Sequence, residues 1–158
     1  MKKFNSIFSA IIFLIAITLS GCDKTRVYED NQDIDNYKWE YKDVKGFTAE
    51  IEDTAKAYNL YVNVRHGFQY EWRNLYVNIT TVFPDGRKLD KRVSLELSEA
   101  DGHWFGKCTG DNCDMQVPLQ LGAHFPQKGK YTFKIAQDMR VNPLTNIKAI
   151  GFRISTDK

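Results

Sequence analysis

A period of two runs through most of the chain after Tyr37, and it constrains the fold more than any other feature. In "YNLYVNVRH", Leu60, Val62 and Val64 alternate with Tyr61, Asn63 and Arg65. In "NLYVNITTVF", Leu75, Val77 and Ile79 alternate with Tyr76, Asn78 and Thr80. The same rhythm aligns Val93, Leu95 and Leu97, then Tyr131, Phe133 and Ile135, then Ile150, Phe152 and Ile154. One apolar face and one wet face describe antiparallel, half-buried strands. Turn chemistry punctuates them at Pro84–Gly86, Ala100–Gly102, Thr109–Asn112 and Gln127–Lys130. The only weakly helical stretch, "IAQDMR", is short and is stopped by Asn142-Pro143. The pattern predicts an all-β fold, an antiparallel β-sandwich of about eight strands, over residues 37–158.

The first residues follow another rule. Lys2 and Lys3 precede an apolar run from Ile7 to Leu19, and small residues follow it at once. That is the layout of a signal peptide, and the run is shorter than the roughly 20 residues a bilayer span needs. Its end, Leu19-Ser20-Gly21-Cys22, resembles a bacterial lipobox. The resemblance implies a lipoprotein signal peptide at 1–21, cleaved before Cys22, with diacylglycerol on the thiol and an N-acyl chain on the new terminus. A palmitate-type acyl set would hold the protein stably, because each buried methylene contributes about 0.8 kcal/mol. Residues 22–36 are polar and lack periodicity, and they read as a tether.

Charge excludes one class of partner. The chain has 22 basic and 20 acidic side chains. Lys2 and Lys3 leave with the signal, so the remainder is formally neutral and offers no stripe for nucleic acid. Apart from Cys22, only Cys108 and Cys113 remain, in "GKCTGDNCDM". In an exported chain that pair suggests a disulfide at a hairpin tip, with two free thiols as the rival reading.

Little else signals chemistry. His66, His103 and His124 have no metal-ligand spacing, and neither G-x-S-x-G nor H-E-x-x-H occurs. Asp101, Asp111 and Asp114 fit solvated turns better than a calcium loop. The expectation is therefore no catalytic residue, no metal and no cofactor beyond the lipid. The aromatics carry more weight. If the strands on either side of "GFQYEW" pair, Tyr61, Asn63 and Arg65 share a face with Tyr76 and Asn78, with Tyr70 and Trp72 in the connection. Flat rings beside amides and a guanidinium suit a contact surface for protein or glycan. An ordinary exposed face with packed tyrosines is the bland alternative.

Three blocks of the chain are similar to the gliding motility lipoprotein GldH family of Bacteroidota. They are "CDKTRVYED" after the apolar run, "NLYVNITTVFPDG", and "FPQKGKYTFKIAQDMR" followed by "IGFRI". The resemblance implies a cell-envelope lipoprotein required for gliding, in cells that move adhesins with type IX secretion machinery. It implies no enzyme, and it carries over one functional residue, the lipidated Cys22. It also implies a membrane-anchored, periplasm-facing component or stabiliser whose partners are other envelope proteins. A carbohydrate-binding surface lipoprotein, exposed on the cell, is the alternative.

Overall fold

The computed structural model describes residues 23–157, so the signal segment and Cys22 lie outside the described residues. Eleven strands follow one another: β1 (Arg26–Asp33), β2 (Lys38–Trp39), β3 (Lys45–Ile51), β4 (Tyr58–Gly67), β5 (Asn74–Val82), β6 (Lys88–Glu96), β7 (Lys107–Thr109), β8 (Asn112–Ala123), β9 (Gly129–Gln137), β10 (Leu144–Thr145) and β11 (Ile147–Thr156). One sheet has the order β1-β11-β4-β8-β7, and the other has the order β3-β9-β5-β6. A short β10-β2 ribbon stands apart. Each named pairing is antiparallel. The all-β sandwich is the architecture the alternation predicts, with eleven strands in place of about eight.

The alternation works as physical chemistry requires. Val62, Val64, Ile150, Phe152 and Ile154 from the first sheet are buried against Phe47, Leu75, Val77, Phe133 and Ile135 from the second. Phe152 stacks on Phe133 with ring centres 4.2 Å apart, and on Phe47 at 6.3 Å. Those three rings come from three strands in two sheets, so they join the layers at the centre of the core.

Two sequence expectations are corrected here. Arg26–Asp33 is an edge strand and not part of a tether, because its backbone pairs with Ala149–Ser155 of β11. Its lack of apolar alternation has a cause. Tyr28, Asp30 and Gln32 lie opposite Ile154, Phe152 and Ile150 and so face inward, but at the rim of the sandwich. There Gln32 donates to the Gly46 carbonyl across to β3 at 2.8 Å, and it has no need to be apolar. The stretch "IAQDMR" forms no helix. Ile135–Gln137 ends β9, and the Gln137 side chain accepts from the Met139 N–H and donates to the Val141 carbonyl, which turns the chain.

One end of the sandwich is closed by an aromatic plug. Tyr70 is 4 % exposed, and its hydroxyl donates to the Asn74 carbonyl at 3.0 Å. Trp72, Trp104 and fully buried His66 pack around it. His66 Nδ1 lies 3.0 Å from the Gly67 carbonyl, which can only accept, so that nitrogen carries the proton. Burial is the main influence on this imidazole and holds its pKa below the ordinary 6.5, against smaller opposing effects of Gly67 and Asp114. Below pH 6.5 the unfolded chain takes up a proton that the folded one resists. Stability is therefore full above that pH and declines as pH falls, by at most about 1.4 kcal/mol per unit. Urea unfolding at pH 7.5 and 5.5 tests this. A His66→Phe variant should lose part of that slope, and an unchanged slope would rule His66 out as its source.

Candidate functional site

The outward face of the first sheet is built in three cross-strand rows. Glu29, Arg153, Tyr61 and Pro118 form one. Asn31, Gly151, Asn63 and Gln116 form the next, and Asp33, Ala149, Arg65 and Asp114 the third. The centre of the second and third rows is a glycine and an alanine, so β11 has almost no side chain there and the surface sinks into a groove of about 470 Å³. Longer polar side chains from β1, β4 and β8 close over it.

Asn63 donates to Glu29 at 2.8 Å and to Asn31 at 3.0 Å, while Gln116 donates to the Asn63 carbonyl oxygen at 3.0 Å. Arg65 donates to Asp114 at 2.6 Å. Arg153, largely covered, bridges Glu29 at 2.7 Å and the carboxylate of Asp23. The Arg153 hydrogen bond is the chief reason that the Asp23 carboxyl is held far below the usual range. Burial raises the Glu29 pKa, but hydrogen bonds from Asn63 and Arg153 outweigh it and the net shift is downward. For Arg153, burial opposes the charge and the two carboxylates restore it, with a net upward shift. The groove is thus a connected, mixed-charge hydrogen-bonding surface that could meet another polar surface. It presents no nucleophile paired with a base. Among the described residues no group of three or more His, Cys, Asp and Glu side chains could hold a metal.

The predicted contact residues divide between two surfaces. Tyr61, Asn63 and Arg65 belong to the face just described. Tyr76 and Asn78 do not join them, because β4 pairs with β11 and β8 while β5 pairs with β6 and β9. Alternation says that each strand has one apolar face; it does not say whether two such strands share a sheet or oppose each other. Here they oppose, and the connection crosses the end of the sandwich with Tyr70 buried in it. Tyr70 is therefore a core residue and not a contact residue. Trp72 and Tyr76 instead line a second groove, of about 280 Å³, with Asn74, Arg92 and Asp138. Arg92 pairs with Asp138 and lies 4.1 Å over the Tyr76 ring, so its guanidinium takes a ring face on which a sugar would stack.

Sequence reasoning missed Glu29, Asn31, Asp33 and Gln116. A usable signal was Gly151 inside an otherwise strong strand, which marks a close approach of another backbone. The Cys108 and Cys113 pair sits directly opposite in the β7–β8 ladder, joined as a disulfide with Cα atoms 4.0 Å apart.

Comparison with known proteins finds matches along most of the chain. Residues 26–154 match the model of a family described as GldH lipoprotein. A gliding motility lipoprotein GldH homolog from Christiangramia forsetii is 31 % identical, over 95 % of this chain and 96 % of its own. The gliding motility lipoprotein GldH of Flavobacterium johnsoniae is 30 % identical, over 92 % and 94 %. The matched span begins at the first residue of β1 and ends within β11, so it takes in all four strands that build the groove.

Proposed function

The chain belongs to the GldH lipoprotein family, and from that premise we propose that it is a membrane-anchored envelope lipoprotein of gliding motility. It acts without catalysis, as a component or stabiliser of the gliding and type IX secretion machinery. The carrying observation is likeness to two gliding motility lipoproteins along nearly the whole of each chain. The anchor is the lipid on Cys22, facing the periplasm, and no helix among the described residues is long and apolar enough to cross a membrane.

The structure adds a mechanical consequence. β1 starts at Arg26, and Asp23 is already tied to Arg153. With lipid on Cys22, the domain stands directly on its anchor, because the segment that reads as a tether is paired into the sheet. Such a mounting suits a part that must hold position beside other envelope proteins.

The test is deletion in the native bacterium, complemented by wild type and by Cys22→Ala, with single-cell movement and adhesin secretion scored together. Both should be lost on deletion, restored by wild type and not restored by the anchorless form. Normal gliding of the deletion strain would remove the proposal. Loss of gliding with normal secretion would separate the protein from the secretion machinery.

A further inference from the structure

The two long flanks of the sandwich are closed differently. On one flank, β1 and β3 are latched by Gln32 to the Gly46 carbonyl at 2.8 Å and by Lys45 to the Asp33 carbonyl at 3.0 Å. On the other, β6 and the long part of β8 face each other without such a latch among the described residues, and the core shows through. Leu89 and Lys91 of β6 lie opposite Thr81 and Ile79, so they point to the core side, yet Leu89 is 57 % exposed. On β8, Leu119 is only partly buried and faces the same opening together with Gln120. Between them opens a slot of about 120 Å³ that reaches Phe133 and Phe152.

Both borders of this slot are free strand edges. β6 is the last strand of its sheet, and among the described residues no turn or loop backbone hydrogen bond engages Lys88–Glu96. β7 covers only Asn112–Asp114 of β8, so Met115–Ala123 has no strand on that side. Unpaired N–H and C=O groups on an exposed edge bond to water, and beside an apolar opening they are also a template on which another main chain can pair. Size agrees. Pockets for whole small-molecule ligands run to about 300–1,000 Å³, so this slot takes one or two side chains and not a lipid tail. Lys91 is the one charged residue lining it and has no ion-pair partner among the described residues.

We propose that this open flank is a strand-acceptor site: an extended segment of a partner envelope protein pairs along β6, inserts an apolar side chain beside Leu89 and Leu119, and sets a carboxylate against Lys91. The proposal rests on the reading of the protein as a non-catalytic part of an envelope assembly, and it names the surface through which that part is held. A competing account exists in the same residues, since an inward lysine on an edge strand also serves to keep edges apart.

Two measurements decide between them. The first is Leu89→Asp, at an exposed position that lines the slot, expressed in the native deletion strain. Gliding should fall to the level of the deletion while the purified variant keeps its melting temperature and its amount in the membrane. Gliding as in wild type would overturn the proposal and leave the family-level function standing, because that function is read from the deletion itself. The second is Leu89→p-benzoylphenylalanine, photolysed in living cells, with Asp30→p-benzoylphenylalanine on the latched flank as control. Position 89 should yield an adduct mapping to a segment of another protein with alternating apolar residues and a nearby acid, and position 30 should not. No adduct, an adduct with phospholipid, or one with a second copy of this chain would each overturn it.

Discussion

Phe152→Ala should cost about 3–5 kcal/mol of folding free energy, the range for truncating a buried aromatic ring. A domain of this size has about 5–15 kcal/mol in total, so the variant should sit near the limit of folding at growth temperature. The expectation comes from position. Phe152 is fully buried on β11, whose neighbours β1 and β4 pair on either side, and its ring touches rings from β3 and β9 across the layers. Removal leaves a cavity at the one place among the described residues where both sheets meet through stacked rings, and the strands cannot close it without shifting their ladders. Urea unfolding of wild type and variant measures the difference. A loss below about 1 kcal/mol would mean that the core relaxes freely and that the stack is not what joins the sheets.

Gly151→Val should detach β1 from the sheet. An added Cβ would come within 1.9 Å of the Asn31 side-chain oxygen and 2.6 Å of the Asp30 carbonyl oxygen. Asn31 can swing away, at the expense of its bond with Asn63. The Asp30 carbonyl belongs to the backbone of β1, so relief there means separating the strands. Overpacking of this kind costs about 1–3 kcal/mol. Amide exchange should quicken along Arg26–Asp33 while β4 and β9 stay protected. Adding Asn31→Ala should restore only part of the stability; full restoration would show that the backbone contact is not limiting. The functional consequence is geometric. Freeing β1 turns an eight-residue strand into a tether that can extend by about 3.3 Å per residue, which under the proposed lipid anchorage at Cys22 would let the domain move away from its anchor.

The missed parts of the fold are those without a long, regular apolar face. β4, β5, β9 and β11 were legible because each carries a full apolar face, and such a face exists only where a second layer covers it. β1 was not legible, since its inward residues lie at the rim and bond to the other sheet through polar side chains. β2, β7 and β10 are two or three residues long, too short for a period to be seen. β8 shows inward apolar residues at Met115, Val117 and Leu119, but its ladder with β4 shifts register after Pro118 and again before Ala123, which breaks the alternation.

The candidate site divides in the same way. Tyr61, Asn63 and Arg65 could be assigned to one face from spacing alone, because successive residues on a strand alternate sides. That Glu29, Asn31 and Gln116 join them, and that Tyr76 does not, depends on strand neighbours. Those neighbours lie far apart along the chain, 124 residues in the case of Glu29 and Arg153.

The sequence by itself determined the sheet class, the inward sides of β4, β5, β6, β9 and β11, and the family. These are local in character: side-chain alternation is a property of one strand, and family likeness is a property of residue order. Only the tertiary structure decided which strands are neighbours, that the supposed tether is an edge strand, and that one flank is latched while the other stays open. Pairing is set by the simultaneous burial of all inner faces against one another, and no single segment contains that information.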